Sequence, residues 1–231
     1  SKRGKLDNQN QQVSLQEQIN SIIALVSSGH TQEAFDAIEV LIKDYPNEPV
    51  LYNIRGACYA GLGQLDAAVK NYEKTLTIKP DYAEAHNNLG LTFMELDQLD
   101  EAVKCYDKAL AINPDFAEAF NNLGSALKQL GQLDTAVKSY EQVLAINPDY
   151  AEAHNNLGVT LKELGQLDAA VKCYEKAVAI KPDYVEAHSN LGNAFKELGQ
   201  VDDAVKFYEK AIAANPDSAE VNYNLIIAYN N

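Results

Sequence analysis

The decapeptide DYAEAHNNLG occupies residues 81–90 and returns unchanged at 149–158, 68 residues later. Sliding the chain against itself by half that distance aligns 83–116, 117–150, 151–184 and 185–218 without a gap. Residues 49–82 join this alignment, 15–48 fit it more loosely, and 219–231 restart it. A period of 34 residues narrows the possible folds sharply. Each period is one supersecondary unit that cannot bury its own apolar face, so neighbours must stack and share a continuous core.

Each repeat reads as two helices. In 83–116, Leu89, Phe93 and Leu96 recur at three- and four-residue intervals, and Val103, Tyr106 and Leu110 do so again beside Ala102 and Ala109. That is the spacing of a helix with one buried stripe. Gly90 and Ala102 are small enough to let paired helices approach closely, while Tyr106 fills the space between layers. Gly63, Asp97, Gly131, Gly165 and Gly199 stand at the turn inside each repeat. Pro80, Pro114, Pro148, Pro182 and Pro216 stop the second helix. An Asp follows each of these prolines with a Glu three residues on: Asp81/Glu84, Asp115/Glu118, Asp149/Glu152, Asp183/Glu186 and Asp217/Glu220. This is capping-box spacing, so these pairs are expected to cap the first helices, with Ser14 and Glu17 opening the first repeat in the same way. Residues 1–14 are polar and read as a disordered lead or an appended tail. Residues 219–231 read as the first helix of a further repeat or a capping helix.

Composition restricts the function. Against 33 acidic residues stand 19 basic ones, a net charge of −14. Nucleic acids and anionic membranes both require neutralising Lys and Arg, so neither is an expected partner. No apolar run reaches the length of a membrane span. Cys58, Cys105 and Cys173 form no CxxC pair and read as packing residues of a cytoplasmic protein. His86, His154 and His188 sit in separate repeats. Layers about 10 Å apart cannot bring three such nitrogens within about 2 Å of one ion, so no metal is expected. The GLG at 61–63 is followed by Asp66 rather than a third glycine, and no GxxxxGK[ST], HExxH or GxSxG occurs. Tyr72, Tyr106, Tyr140, Tyr174 and Tyr208 recur at core spacing. No cofactor and no catalytic residue are expected: the chain does not read as an enzyme.

The positions of Leu89–Gly90, Phe93, Ala102, Tyr106, Ala109 and Pro114 resemble those of the tetratricopeptide repeat. The resemblance covers nearly all of the chain beyond residue 14. It implies an all-α, right-handed superhelical solenoid of antiparallel helix pairs, with repeats 15–48 (divergent), 49–82, 83–116, 117–150, 151–184 and 185–218. In that family the first helices line a concave groove that binds peptides or partner proteins. Two features depart from the pattern. The early aromatic position holds His86, His154 and His188 beside Tyr52 and Phe120, and repeat 15–48 has Ser21 and Ile22 in place of Leu-Gly.

Asn88, Asn122, Asn156, Asn190 and Asn224 hold one equivalent position in five successive repeats, and Asn87, Asn121 and Asn155 precede three of them. An amide offers both a donor and an acceptor to an extended peptide backbone. The series is similar to the asparagine ladder of the peptide O-linked N-acetylglucosamine transferases, which implies that these positions hold a peptide. Repeat 49–82 departs from it, with Ile54 at the ladder position and Asn53 one residue earlier. The alternative is that the amides bridge neighbouring helices. Lys128, Lys162 and Lys196 recur further along the same helices, either as contacts for ligand carboxylates or as solvated helix-end charges. The carboxylate clamp of chaperone-binding family members needs Lys and Arg near the start of these helices, where this chain has Glu and Asn; chaperone C-termini are not an expected partner. The chain therefore reads as a protein-interaction scaffold. The alternative is the recognition arm of a glycosyltransferase, sulfotransferase or 2-oxoglutarate oxygenase whose catalytic domain lies outside these residues. The apolar Leu225, Ile227, Ala228 and Tyr229 in 219–231 would seek a partner helix, which allows end-to-end self-association.

Overall fold

The computed structural model describes the backbone of residues 2–229 and the side chains of residues 15–229. Among the described residues all regular structure is helical. An N-terminal body, residues 1–113, holds α1 (Lys2–Ser27), α2 (Thr31–Asp44), α3 (Pro49–Gly61), α4 (Leu65–Ile78), α5 (Ala83–Glu95) and α6 (Leu99–Ile112). A C-terminal body, residues 114–231, holds α7 (Ala117–Gln129), α8 (Leu133–Ile146), α9 (Ala151–Glu163), α10 (Leu167–Ile180), α11 (Val185–Glu197), α12 (Val201–Ala214) and α13 (Ala219–Tyr229). In each body the helices pair as the period dictates: α3 on α4 and α5 on α6, then α7 on α8, α9 on α10 and α11 on α12. Each second helix also packs on the first helix of the next pair within its body. The fold is a helical solenoid of repeats.

At the N-terminus the structure departs from the sequence reading. The segment read as a disordered lead is helical from Lys2, continuous with the rest of α1, so α1 does not begin at Ser14. No proline precedes Pro46, and nothing in the backbone chemistry stops the helix from running back. Ser1 lies outside the described residues.

The turn inside each repeat follows from one backbone conformation. Gly165 takes φ 76°, which turns its own N–H onto the Lys162 carbonyl (2.9 Å) and the Gln166 N–H onto Leu161 (2.9 Å). These bonds satisfy the last carbonyls of α9, a Schellman-type stop. Asp97 makes the same turn with φ 58°, and Asp is one of the few side chains that tolerates this region.

The expected capping boxes do not form at α5, α9 and α11. The N-cap residues are Tyr82, Phe116, Tyr150 and Tyr184, none with a side-chain cap hydrogen bond. Asp81, Asp149 and Asp183 each stand one residue before the N-cap, too early to reach the free helix N–H groups. The loops are tightened instead by Asn147 and Asn215, whose Oδ1 atoms accept the N–H of Asp149 and Asp217 at 3.2 Å. Glu84, Glu118, Glu152, Glu186 and Glu220 fall in the first turn, where a negative charge still favours the helix dipole.

The contact that sets the distance between paired helices joins a glycine to a tyrosine. A Cβ placed on Gly56, Gly90, Gly124, Gly158 or Gly192 would lie 2.5–2.8 Å from a ring carbon of Tyr72, Tyr106, Tyr140, Tyr174 or Tyr208. These rings are fully or almost fully buried. Each withdraws about 150–250 Å² from water, worth at most about 4–6 kcal/mol. The buried hydroxyls keep partners: Tyr208 donates to Asn193 Oδ1 (2.8 Å), and Tyr140 pairs with Ser125 Oγ (3.1 Å). Burial pushes both phenols up to about 12, so they remain protonated at neutral pH. In repeat 15–48 both partners of this contact are exchanged. Ile22 and Ile38 take the glycine and tyrosine positions and are buried in one cluster.

This geometry decides the sign of a substitution. Alanine favours a helix over glycine by about 1 kcal/mol, but overpacking a fixed ring costs about 1–3 kcal/mol. Gly158→Ala should therefore destabilise the protein in urea melts. Gly61→Ala, at a helix end with nothing within 4 Å of the added carbon, should be neutral or stabilising.

Candidate functional site

The asparagines of the first helices form two rows with different surroundings. In the C-terminal body, Asn121 and Asn155 are buried (3% and 0% exposed) and both ends of their amides are engaged. Asn121 Nδ2 donates to Glu152 Oε1 and Asn155 Nδ2 to Glu186 Oε1, each at 3.0 Å. Their Oδ1 atoms accept from the next repeat: Asn156 Nδ2 at 3.2 Å and Asn190 Nδ2 at 2.9 Å. Bonds at sequence separations of 31 and 35 thus tie α7 to α9 and α9 to α11. In the last full repeat Ser189 replaces the buried asparagine, and Asn224 turns to Asn193 Oδ1 (3.4 Å). In the N-terminal body Asn88 Nδ2 donates to Asn53 Oδ1 at 3.3 Å, so Asn53 supplies the acceptor where Ile54 interrupts the ladder.

The two rows therefore do different work. Asn87, Asn121 and Asn155 lie inside the stack, where Asn121 and Asn155 fix its register. Asn88, Asn122, Asn156, Asn190 and Asn224 are half-buried. Asn88, Asn156, Asn190 and Asn224 each direct one N–H backward to the preceding repeat. Glu152 and Glu186, read from the sequence as caps, are the carboxylates that accept from the inner row.

The histidines have a structural role. His86, His154 and His188 Nε2 meet the carbonyls of Pro80, Pro148 and Pro182 at 2.8–3.0 Å. A carbonyl only accepts, so Nε2 carries the proton. Tyr52 Oη and Asn222 Nδ2 make the same bond to Pro46 and Pro216, both at 3.0 Å. Five of the six equivalent positions carry a donor six residues after the proline; the sixth, Phe120 after Pro114, carries none. Among the described residues no group of His, Cys, Asp and Glu could hold a metal ion. Burial pushes the Cys105 and Cys173 thiols up to about 11, so they are not nucleophilic at neutral pH.

The TPR-repeat family profile matches residues 56–97, 90–131, 124–165 and 160–199, and the tetratricopeptide repeat profile matches 185–218. The chain belongs to the tetratricopeptide repeat (TPR) family. No curated protein matches the chain. Among solved structures it is similar to MamA, at 30% identity and a TM-score of 0.64 over 71% of this chain and 96% of that one. It is also similar to PilW, a type IV pilus biogenesis factor, at 25% identity and a TM-score of 0.83 over 91% and 97%. YrrB, described as a TPR protein with an unusual peptide-binding site, shares the fold at 22% identity and a TM-score of 0.63 over 81% and 96%.

On this TPR frame the recurring lysines also bridge repeats. Lys128 pairs with Glu163 (3.7 Å) and Lys162 with Glu197 (2.7 Å), again 35 residues apart. The residue in the same register from Lys196 is Asn231, which lies outside the described residues. Asn53, Asn193, Glu152, Glu186, Glu163 and Glu197 are the members of this polar face that sequence reasoning missed. The signal was available as polar pairs offset by one residue more, or three fewer, than a whole period. No helix among the described residues is long and apolar enough to cross a membrane.

Two outcomes follow for TPR stability. Burial lowers the His86 pKa below 6.5, with the Pro80 carbonyl opposing in part. The unfolded chain then takes up a proton that the folded state resists, so this stability is present above pH 6.5 and is lost as pH falls through the folded pKa. His86→Asn, which supplies the donor found at Asn222, should reduce the loss measured by denaturation between pH 7 and about pH 5. Asn155→Ala should cost about 1–3 kcal/mol because it strips both Glu186 and Asn190 of a partner. Asn190→Ala should cost about 1 kcal/mol or less, and a double-mutant cycle should show coupling between the two.

Proposed function

We propose that this TPR chain is a non-catalytic protein-interaction scaffold that holds an extended polypeptide along its first helices. The contacts are made by Asn88, Asn122, Asn156, Asn190 and Asn224. The observation that carries this reading is the division of labour between the rows. Buried Asn121 and Asn155 hold half-buried Asn156 and Asn190, so these two amides are oriented before a ligand arrives. Among the described residues, the Oδ1 atoms of Asn156 and Asn190 accept no hydrogen bond. They would receive backbone N–H groups of the ligand, as the resemblance to the glycosyltransferase ladder implies.

First helices of neighbouring repeats touch, α3 on α5 in one body, α7 on α9 and α9 on α11 in the other. An axis spacing of about 8–10 Å corresponds to about three residues of extended chain per rung. Each rung contributes about 1 kcal/mol net, which suits micromolar affinity after the ligand is ordered. Lys128 and Lys162 share their charge with Glu163 and Glu197 and add little, whereas Lys196 would meet a ligand carboxylate. The acidic surface disfavours nucleic acid, and the reading requires no cofactor.

The test is peptide-library binding by the intact chain and by a variant with Asn88, Asn122, Asn156 and Asn190 all changed to Ala. Circular dichroism shows whether both stay folded. The variant should remain helical and lose its peptides by at least about tenfold, the equivalent of 1.4 kcal/mol. Equal binding by both proteins would mean that the asparagines serve the stack alone.

A further inference from the structure

Repeat 49–82 breaks the pattern of the later repeats at two facing positions. Leu89, Leu123, Leu157 and Leu191 are equivalent, but on α3 this position holds Arg55, the single arginine beyond residue 14. On the paired helix, where later repeats carry Cys105, Ser139, Cys173 and Phe207, α4 carries Asn71. The two exchanges meet in space. Arg55 Nε donates to Asn71 Oδ1 at 2.6 Å, and Asn71 Nδ2 donates to the Ala67 carbonyl at 2.7 Å. Asn71 is only 7% exposed, so it holds the arginine from inside the repeat. The fold itself does not require a charge here, since leucine serves in the four repeats that follow.

A second cation stands at the same ring. The Arg55 guanidinium carbon lies 5.3 Å from the centroid of Tyr52, and Lys74 Nζ lies 5.7 Å from it. The ring is itself fixed, being buried and donating its hydroxyl to the Pro46 carbonyl. Tyr52 and Arg55 are one turn apart on α3, as Asn71 and Lys74 are on α4, so the four side chains converge where these helices pair. Once Nε is engaged, an arginine keeps the donors of both Nη atoms. Arg55 is half-buried and Lys74 exposed, so both are reached from solvent. Among the described residues neither forms an ion pair, in a chain whose net charge is −14. Two positive charges held at one ring repel each other, and an anion shared between them removes that cost. In the later repeats only the lysine position recurs, as Lys108, Lys176 and Lys210.

We infer that Arg55 and Lys74 form a binding site for a phosphoryl group, free or carried as a monoester on a partner. Charge decides the class. A phosphate monoester carries about −1.5 to −2 near neutral pH, which matches two cations, whereas a carboxylate leaves half of the positive charge unmatched. The planar arginine fork suits two phosphate oxygens. The Asn71 bond and the Tyr52 ring fix that fork before a ligand arrives. Lys74 adds a mobile point charge on a flexible stem from α4. The site is separate from the asparagine row: Ile54 interrupts that row in this repeat, and Arg55 lies about 100° around α3 from it. Cations this open to water bind modestly, with dissociation on the order of 1 mM for phosphate alone.

NMR titration of the isotope-labelled full chain with inorganic phosphate, at neutral pH and constant ionic strength, tests this. The Arg55 Nε–H and the backbone amides around Tyr52 and Lys74 should shift and saturate, and acetate should not saturate them. Arg55→Leu combined with Asn71→Cys recreates the Leu89/Cys105 pair of the following repeat, so it keeps the fold. It should weaken phosphate by at least about tenfold with unchanged helical circular dichroism. Lys74→Gln, the residue found at Gln142, should weaken it several-fold. A short neutral peptide with one phosphoserine distinguishes the sources. Binding at least about tenfold tighter than phosphate, and lost in the unphosphorylated peptide, upholds the site as one for a phosphorylated polypeptide. Affinity equal to that of phosphate upholds it as one for free phosphate or a small ester. No saturable shift with either probe, saturation by acetate at the same concentration, or undiminished binding by the double variant would each overturn the inference.

Discussion

The distance between a glycine backbone and a tyrosine ring governs this molecule. Five times along the chain a first helix gives up its side chain so that a ring from its partner can lie against bare backbone. The exchange has a cost in helix propensity of about 1 kcal/mol per glycine. It is offset by burial of a large ring and by the fixed spacing that follows. That spacing sets the register from which every later contact is built. Where the pair is absent, its substitute shows the same constraint from the other side: Ile22 and Ile38 replace glycine and tyrosine together, because neither could change alone.

A polar network is built on that register. Buried amides are costly unless both ends are satisfied. Asn121 and Asn155 meet the requirement by reaching one repeat forward for an acceptor and taking a donor from the same repeat. The network ties successive helix pairs together directionally, which apolar packing does not. It also leaves the half-buried asparagines with their orientation decided. Asn88, Asn156, Asn190 and Asn224 thus serve the architecture through one N–H each, and the proposed binding role does not exclude this bridging one.

Much of this was legible in the residues. The period, the two helices per repeat, the turn at Gly165 and Asp97, and the tyrosines as core follow from steric rules that act within a few residues or recur at a fixed offset. The helix starts were less legible. A Pro-Asp-x-x-Glu spacing satisfies the letter of a capping box, yet the chain enters the helix one residue later than the Asp, and Glu152 and Glu186 are drawn instead to asparagines 31 residues before them. The histidines looked like a departure from the aromatic pattern; they answer a carbonyl six residues upstream, as Tyr52 and Asn222 also do.

By itself, the sequence determined the secondary structure, the family and the division of each helix into buried and solvated faces, because backbone sterics and hydrophobic periodicity are local properties. The tertiary structure decided which end of each asparagine is used and which carboxylates and lysines become paired. Those outcomes depend on where a side chain one repeat away comes to rest. An offset of 31 or 35 residues rather than 34 arises from how stacked helices shift past one another, and that shift is set by packing, not by any residue alone.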